Sequence, residues 1–342
     1  MIVKNEADRI LDCLRSAKPY IDYWTIIDTG STDKTRTLIE DELASIPGSM
    51  FQHPWINFGH NRSIAFKAAK NTADWLLALD ADMRVSIDVD FEPDSAPAID
   101  AYMIQMGDEK LSNRLPLFLK GNLDWQSIGA VHEYTMLPSG SYKSEVTDAI
   151  QITHSPAVDA PEKYQWYLKL LQDDFKNDPD NPRTLFYLAQ THLMLGNLKQ
   201  AKIFYDKRRS MAGWDEETFY AAYMYATLQQ KWIDKQATLT IAWEFRPTRL
   251  EPLYDLAHGY NELGQYATAH QLSSVPISYC FDTLLVHRAV WNWGIIFERS
   301  IAAQRLGLLD EALTLNDGLL AYPNLPDHIR EAVIRNRTFC YA

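Results

Sequence analysis

The stretch with the most chemical content runs from Asp74 to Arg84 and reads DWLLALDADMR. Residues 75–79 are all apolar, which fits a strand buried on both faces in the middle of an α/β sheet. The run ends in Asp80-Ala81-Asp82. Two carboxylates one residue apart at the mouth of a buried strand repel each other and resist desolvation. A hard divalent cation removes that cost, because Mg²⁺ or Mn²⁺ prefers carboxylate oxygen and leaves coordination sites open for phosphates. The alternative is a solvated turn after a strand, and Asp-x-Asp alone does not separate the two.

Other residues could complete such a site. Arg62 closes the stretch Asn57-Phe58-Gly59-His60-Asn61-Arg62, just before an alanine-rich helix expected from Ser63 to Lys70. A cation at a helix N-terminus opposes the dipole, so Arg62 there calls for a facing anion or a surface salt bridge. His132-Glu133 sits in WQSIGAVHEY, where Ile128 and Val131 look like core positions. His154 ends a strand read over 149–154, a place where an imidazole is usually just surface.

The elements that would hold these groups alternate. Met1-Ile2-Val3 reads as the tail of a strand, followed by a helix with Ile10, Leu11, Leu14 and Ala17 on one face and Asn5 as its N-cap. Tyr23 to Asp28 is a second strand. Thr29-Gly30-Ser31-Thr32-Asp33 turns into a helix over 34–44, and 51–53 is a short third strand. Strand–turn–helix edges of this kind hold nucleotides, and helix N-termini attract phosphate. Alternation of this sort gives an α/β class with a mostly parallel sheet. After Arg84 the pattern loosens into an acidic loop over 86–100, with strands resuming at 101–106 and 115–119.

Bulk composition narrows the classes. The chain has 342 residues, 46% hydrophobic and 23% charged, which fits two soluble domains each able to bury a core. A net charge of -12 argues against a general polyanion-binding surface. Three widely spaced cysteines form neither a metal pattern nor an even disulfide set, so a reducing, cytoplasmic setting is expected. No apolar run approaches transmembrane length.

MIVKNE, IIDTGSTDKT, NFGHNRS, ADWLLALDAD and GAVHEY, in this order and spacing, resemble glycosyltransferase family 2 over roughly residues 1–155. The resemblance implies the GT-A fold, a Rossmann-like mixed sheet that takes a nucleotide-sugar donor, here most simply a UDP-sugar, with Mn²⁺ or Mg²⁺. It places the base and ribose near Val3, Asn5, Glu6 and Asp28, with Gly30 and Ser31 beside them. Arg62 falls near the diphosphate. Asp80, Ala81 and Asp82 form the Asp-x-Asp motif, with Asp82 on the metal and Asp80 on ribose or metal-bound water. His154 falls at a third metal ligand, and His132-Glu133 at the acceptor and base. One departure from the family pattern is the very short first strand. Sugar transfer needs a group that takes the acceptor proton. Glu133 is the candidate, with Asp124 and His132 behind it, and a single base implies inversion. The structural alternative for Glu133 is an ion pair with Arg114 or Lys120.

From Pro161 the sequence becomes helical, with Tyr164, Tyr167, Leu168, Leu171 and Phe175 at helical spacing. Leu188-Ala189, Gly196, Ala201 and Tyr205 match a tetratricopeptide unit of about 34 residues. Leu256-Ala257, Tyr260, Gly264 and Ala269 repeat it, with Gly196 and Gly264 68 residues apart. The unit between them lacks the glycine but keeps Pro247, and a last unit has Leu306-Gly307, Ala312 and Pro323. The expected organisation is a GT-A domain over 1–155 and a helical solenoid over 156–342. The solenoid is either an acceptor groove, for a peptide or glycan, or a brace, and a homodimer is compatible with its faces. Two other readings remain: a catalytically silent scaffold, and a nucleotidyltransferase, against which the loop KNEADR is neither glycine-rich nor basic. A modified nucleic acid of phage type remains an alternative acceptor.

Overall fold

The computed structural model describes residues 1–93, 99–107, 112–154, 161–277 and 280–340. Its contacts divide it into two compact units, one holding residues 1–107 and 113–197, the other holding 198–342. The boundary expected at 155–160 falls outside the described residues.

The first unit opens with β1 (Ile2–Val3), α1 (Ile10–Ala17), β2 (Trp24–Asp28), α2 (Thr35–Glu42), β3 (Gly48–Gln52) and α3 (Phe58–Ala69). These give a parallel sheet in the order β1-β2-β3. Its core comes from the apolar faces of α1 and α2: Ile10, Leu14, Ile39 and Leu43 meet Val3 and Ile26. Then follow β4 (Trp75–Leu77), β5 (Met83–Ile87), β6 (Ala101–Gly107), β7 (Ser112–Lys120), β8 (Gln126–Ile128), β9 (Tyr134–Met136), β10 (Ser144–Thr147) and β11 (Ile150–His154). The second sheet has the order β10-β6-β7-β4, with β4 antiparallel to β7. β11 pairs antiparallel with β5. The architecture is therefore a mixed sheet system rather than a mostly parallel one.

Three local expectations change. Residues 75–79 are not a strand buried on both faces: β4 is only Trp75–Leu77, and of these only Leu76 is fully buried. α1 starts at Ile10 with Arg9 as its N-cap, because Asn5 is engaged elsewhere. α3 starts at Phe58, capped by the Asn57 side chain, which accepts from the His60 amide at 2.8 Å. Arg62 therefore lies inside the helix, past the first turn, and the dipole argument does not apply to it.

α4 (Pro161–Asn177) and α5 (Pro182–Met194) belong to the first unit. Trp166 of α4 packs on Trp55 and Phe58, with ring centroids 5.6 Å from each. Asn181 caps α5 by accepting from the amides of Arg183 and Thr184.

The second unit is helical: α6 (Leu198–Arg209), α7 (Asp215–Thr227), α8 (Trp232–Phe245), α9 (Glu251–Glu262), α10 (Tyr266–Ser273), α11 (Ile295–Arg305), α12 (Leu309–Ala321) and α13 (Asp327–Phe339). Each helix packs on the next, and α9 also packs on α11 and α11 on α13, which is the pattern of stacked helical hairpins. Among the described residues glycine ends three helices. Gly196, Gly264 and Gly307 adopt φ of 74°, 71° and 77°. Each lets the following amide bond back five residues: Asn197 to His192, Gln265 to Tyr260 and Leu308 to Ala303, at 2.8, 2.9 and 2.9 Å. Gly307 lies 43 residues after Gly264, longer than one repeat of about 34. The excess lies between α10 and α11. Arg249 fastens that segment by donating to the carbonyls of Leu284 and Leu285 at 3.2 and 3.0 Å. Cys13, Cys280 and Cys340 are all free and buried. Among the described residues no helix is long and apolar enough to cross a membrane.

Candidate active site

The segments that follow β1 and β2 are stitched to each other. Asn5 adopts φ 56° and its side-chain oxygen accepts from the Thr32 amide at 2.8 Å. Its own amide donates to Ser31 Oγ at 3.0 Å. The Glu6 amide donates to Thr35 Oγ1 at 2.7 Å, and the Val3 carbonyl accepts from the Thr29 amide at 2.9 Å. Asp28 is buried and accepts from the Ser31 amide, 3.1 Å from Oδ1. Asp28 thus shapes the Gly30-Ser31 turn. Val3, Asn5, Glu6, Asp28, Gly30 and Ser31 lie together, as expected of one strand-end cluster.

Asp80 follows β4 and Asp82 precedes β5. Ala81 between them is buried against Val3 and Ile10. The three residues lie in a turn closed by the Met83 amide, which donates to the Asp80 carbonyl at 3.0 Å, so both carboxylates stand at the link between β4 and β5. Glu6 joins them. Burial raises its pKa, Arg9 opposes this, and Asp82 and Asp80 raise it further.

β5, like β8, β9 and β10, is a strand not expected from the sequence, although Met83, Val85 and Ile87 alternate with Arg84 and Ser86. Met83 and Val85 are buried and Arg84 and Ser86 exposed. Its pairing with β11 sets Met83 opposite His154. His154 Nδ1 consequently lies 3.8 Å from Asp82 Oδ1. The Asp82 contact raises the His154 pKa against a smaller effect of burial, and His154 lowers that of Asp82. One carboxylate oxygen and one imidazole nitrogen facing each other fit two positions of a hard or borderline cation that keeps its others for water or phosphate oxygen. Among the described residues no third protein donor joins them in a ligating cluster. Asp80 faces a guanidinium instead.

That guanidinium is Arg62. Its Nη2 donates to Asp80 at 2.9 and 3.2 Å, and its Nε donates to Glu133 Oε1 at 2.7 Å. Glu133 pairs with Arg62, then, and not with Arg114 or Lys120. The Arg62 side chain is 14% exposed and that of Glu133 12%, against 37% for Asp80. Burial would lower the Arg62 pKa, but Asp80 and Glu133 outweigh it and raise it. Among the described residues, Nη1 donates no hydrogen bond, so part of the fork is spare.

Arg62 meets Glu133 because α3 and the 126–133 stretch are zipped together. The Phe58 and Gly59 amides donate to the Ala130 and Gly129 carbonyls at 3.2 and 3.1 Å. Ser63 Oγ donates to the Ser127 carbonyl at 3.1 Å and lies 2.8 Å from the Ser127 amide. A Cβ on Gly59 would fall 2.5 Å from the Gly129 carbonyl oxygen, so only glycine allows this approach.

The remaining expected site residues go elsewhere. Asp124 is exposed and pairs with Lys70, just past the far end of α3. It is not with Glu133. His132 is packed by aromatic rings, its own ring 4.3 Å from Tyr187 in a parallel stack. Crowding lowers its pKa first, and the cations Arg183 and Lys163 lower it further, so it is neutral at pH 7. Ile128, expected in the core, is 39% exposed.

Residues 1–93 match the family profile described as Glycosyl transferase family 2. An uncharacterized glycosyltransferase of Rickettsia bellii is 36% identical over 86 residues, covering 25% of this chain and 27% of that protein. A TPR repeat-containing protein of Synechococcus elongatus is 37% identical over 90 residues, 26% of this chain and 21% of the relative. The matched segments thus span about a quarter of each relative's length. Among solved structures, a crystal structure of MamA aligns with 51% of this chain and 86% of its own at 15% identity and a TM-score of 0.36. A tetratricopeptide repeat protein from Parabacteroides merdae aligns with 53% of this chain and 66% of its own at 17% identity and a TM-score of 0.38. The chain thus carries a glycosyl transferase family 2 match at its N-terminus and continues into stacked helical hairpins.

Proposed function

We propose that the protein is an inverting glycosyltransferase that moves a sugar from a nucleoside-diphosphate-sugar, with a UDP-sugar as first choice, to a hydroxyl or thiol acceptor. The observation that carries this reading is Arg62: a largely buried guanidinium shared between Asp80 and Glu133, with Nη1 spare, at the strand end that also holds Asp82 and Glu6. A spare planar donor edge suits a phosphate oxygen.

In this reading the cluster after β1 and β2 takes the nucleoside, and Arg62 takes the diphosphate through Nη1. Negative charge on the leaving phosphate is stabilised where it develops by that preset cation. Glu133 Oε1 is occupied by Arg62, so the carboxylate becomes free to accept the acceptor proton as the guanidinium turns toward the diphosphate. Glu133 acting as a single base, with Asp80 held by Arg62, is in keeping with inversion. Asp82 and His154 would hold Mn²⁺ or Mg²⁺, which when bound supplies further positive charge opposite the diphosphate.

The test is incubation of the full chain with a panel of nucleotide-sugars and Mn²⁺, reading donor hydrolysis and, by calorimetry, nucleotide affinity. Release of nucleoside diphosphate from one donor, abolished in Glu133→Gln while nucleotide still binds, is the expected result. No binding of any nucleoside diphosphate would end the proposal.

A further inference from the structure

Glu133 lies between two residues that are each gripped by the same helix. Arg183 on α5 donates from Nη2 to the His132 carbonyl at 2.8 Å. Its guanidinium also lies over the Tyr134 ring at 4.7 Å and the Tyr187 ring at 4.9 Å. The His132 ring stacks on Tyr187 at 4.3 Å with only 10° between the planes, and Tyr167 meets it edge-on at 5.4 Å.

The backbone here needs such support. His132 adopts φ 53°, a left-handed conformation that costs a non-glycine residue energy and persists only where its surroundings impose it. Gly129 in the same turn has φ 114°. With left-handed residues at both ends, residues 129–132 turn sharply and deliver Glu133 back onto Arg62. The grip on His132 and Tyr134 holds the chain on either side of that delivery.

We propose that Arg183 and Tyr187 are positioning residues for Glu133, so that the first repeat-like helix sets the geometry of the candidate base. This rests on the glycosyltransferase reading for its catalytic meaning, though not for its structural content. Neither residue touches the Glu133 carboxylate, and both act through its neighbours. Arginine is suited to the task because one planar group can stack on two rings while donating along its edge, which a lysine ammonium cannot do.

The experiment is hydrogen exchange of the amides over 129–134 in the full chain, beside its melting temperature and hydrolysis of UDP-sugars with Mn²⁺. Arg183→Ala should speed exchange over 129–134 at least ~10-fold, with the rest of the sheet unit unchanged. Arg183→Lys should do the same, since charge alone does not stack. Tyr187→Leu, which removes the ring stacked on His132 and Arg183, should speed exchange over 129–134 as well. In the hydrolysis assay, kcat of Arg183→Ala should fall ~10-fold or more while the donor KM holds. Unchanged exchange over 129–134 in Arg183→Ala overturns the proposal. So does uniformly faster exchange with a lowered melting temperature and an intact kcat, which would be plain packing. A wild-type protein that hydrolyses no donor sinks the glycosyltransferase reading instead, and the exchange result still decides the clamp.

Discussion

Each unit places an arginine between two acidic residues, and the two differ in what is left over. In the helical unit Arg249 is fully buried. It donates to Glu251 from Nε and Nη2, to Asp282 and the Leu284 carbonyl from Nη1, and to the Leu285 carbonyl from Nη2. All five donors of the fork are used. In the sheet unit Arg62 uses Nε and Nη2 and keeps Nη1. Its carboxylates come from separate segments, one after β4 and one before β9. A saturated arginine fixes a fold, since any ligand would have to displace partners that cannot be rehydrated in place. An unsaturated arginine beside a partly exposed carboxylate such as Asp80 can exchange a partner for a ligand at lower cost. Arg208 resembles Arg249: it is buried and donates to Glu217, Thr218 and the carbonyls of Met211 and Trp214.

The comparison can be broken most forcefully through Arg249. Arg249→Met strands the buried Glu251, while Asp282 keeps its pair with Arg246, and removing one partner of a buried pair costs about 3–5 kcal/mol. Urea unfolding of the variant should show a loss of that size. Arg62→Met should lose less than half as much but weaken nucleoside diphosphate binding at least ~10-fold. Equal losses of stability would erase the distinction.

Next in size is Glu133→Gln. A general base contributes ~10²–10⁴-fold to rate, so transfer should slow at least ~100-fold. Nucleotide affinity should be kept or tightened, because Arg62 loses a competing carboxylate. Full turnover in the folded variant would move the proton transfer to the acceptor itself. For Asp82→Ala, calorimetry should show nucleotide binding that Mn²⁺ no longer strengthens. A persisting Mn²⁺ effect would remove Asp82 and His154 from the metal site.

The smallest effect is in the pH dependence, where the two units have opposite signs. The His132 pKa is lowered by crowding and by Arg183 and Lys163. Its contribution to stability is present above the ordinary 6.5 and is lost as pH falls toward the lowered folded value. The His258 pKa is raised by its hydrogen bond to Glu298 at 3.0 Å, with burial opposing. That contribution is complete below the ordinary 6.5 and is lost as pH rises through the raised folded value. Melting temperatures across pH 4–8 should show a shallower acid decline in His132→Asn, since asparagine tolerates the left-handed backbone. His258→Gln should lose stability at pH 5.5 and little at pH 8. Parallel profiles for both variants would refute the assignment.

Much of the site was legible because short-range pattern carried it. Asp80 and Asp82 stood out as charges ending an apolar run, and Arg62 and Glu133 as charges beside expected core. The partner of each was not legible. Glu133 seemed suited to Arg114 or Lys120, and its partner proved to be Arg62, 71 positions earlier in the chain. Asp124 seemed close enough to substitute for Glu133, yet the strand β8 intervenes and leaves it on Lys70. β5 is legible in its alternation, but its end at Ser86 and Ile87 falls in the acidic, proline-bearing stretch 86–100 that reads as a loop. Arg183 carried no signal at all, since an arginine in the first turn of an amphipathic helix looks like any solvated charge.

The sequence by itself determined the opening alternation of strands and helices, the helix-ending glycines, the strand ends that carry carboxylates and the change to helical repeats. These depend on backbone preferences and on periodicities of 2 and 3.6 residues, which are properties of neighbouring residues. The tertiary structure alone decided that His154 faces Asp82, that one guanidinium serves both Asp80 and Glu133, and that α5 grips the turn before Glu133. Those outcomes follow from strand register and from the close approach at Gly59, and both are fixed only when distant segments bury their surfaces together.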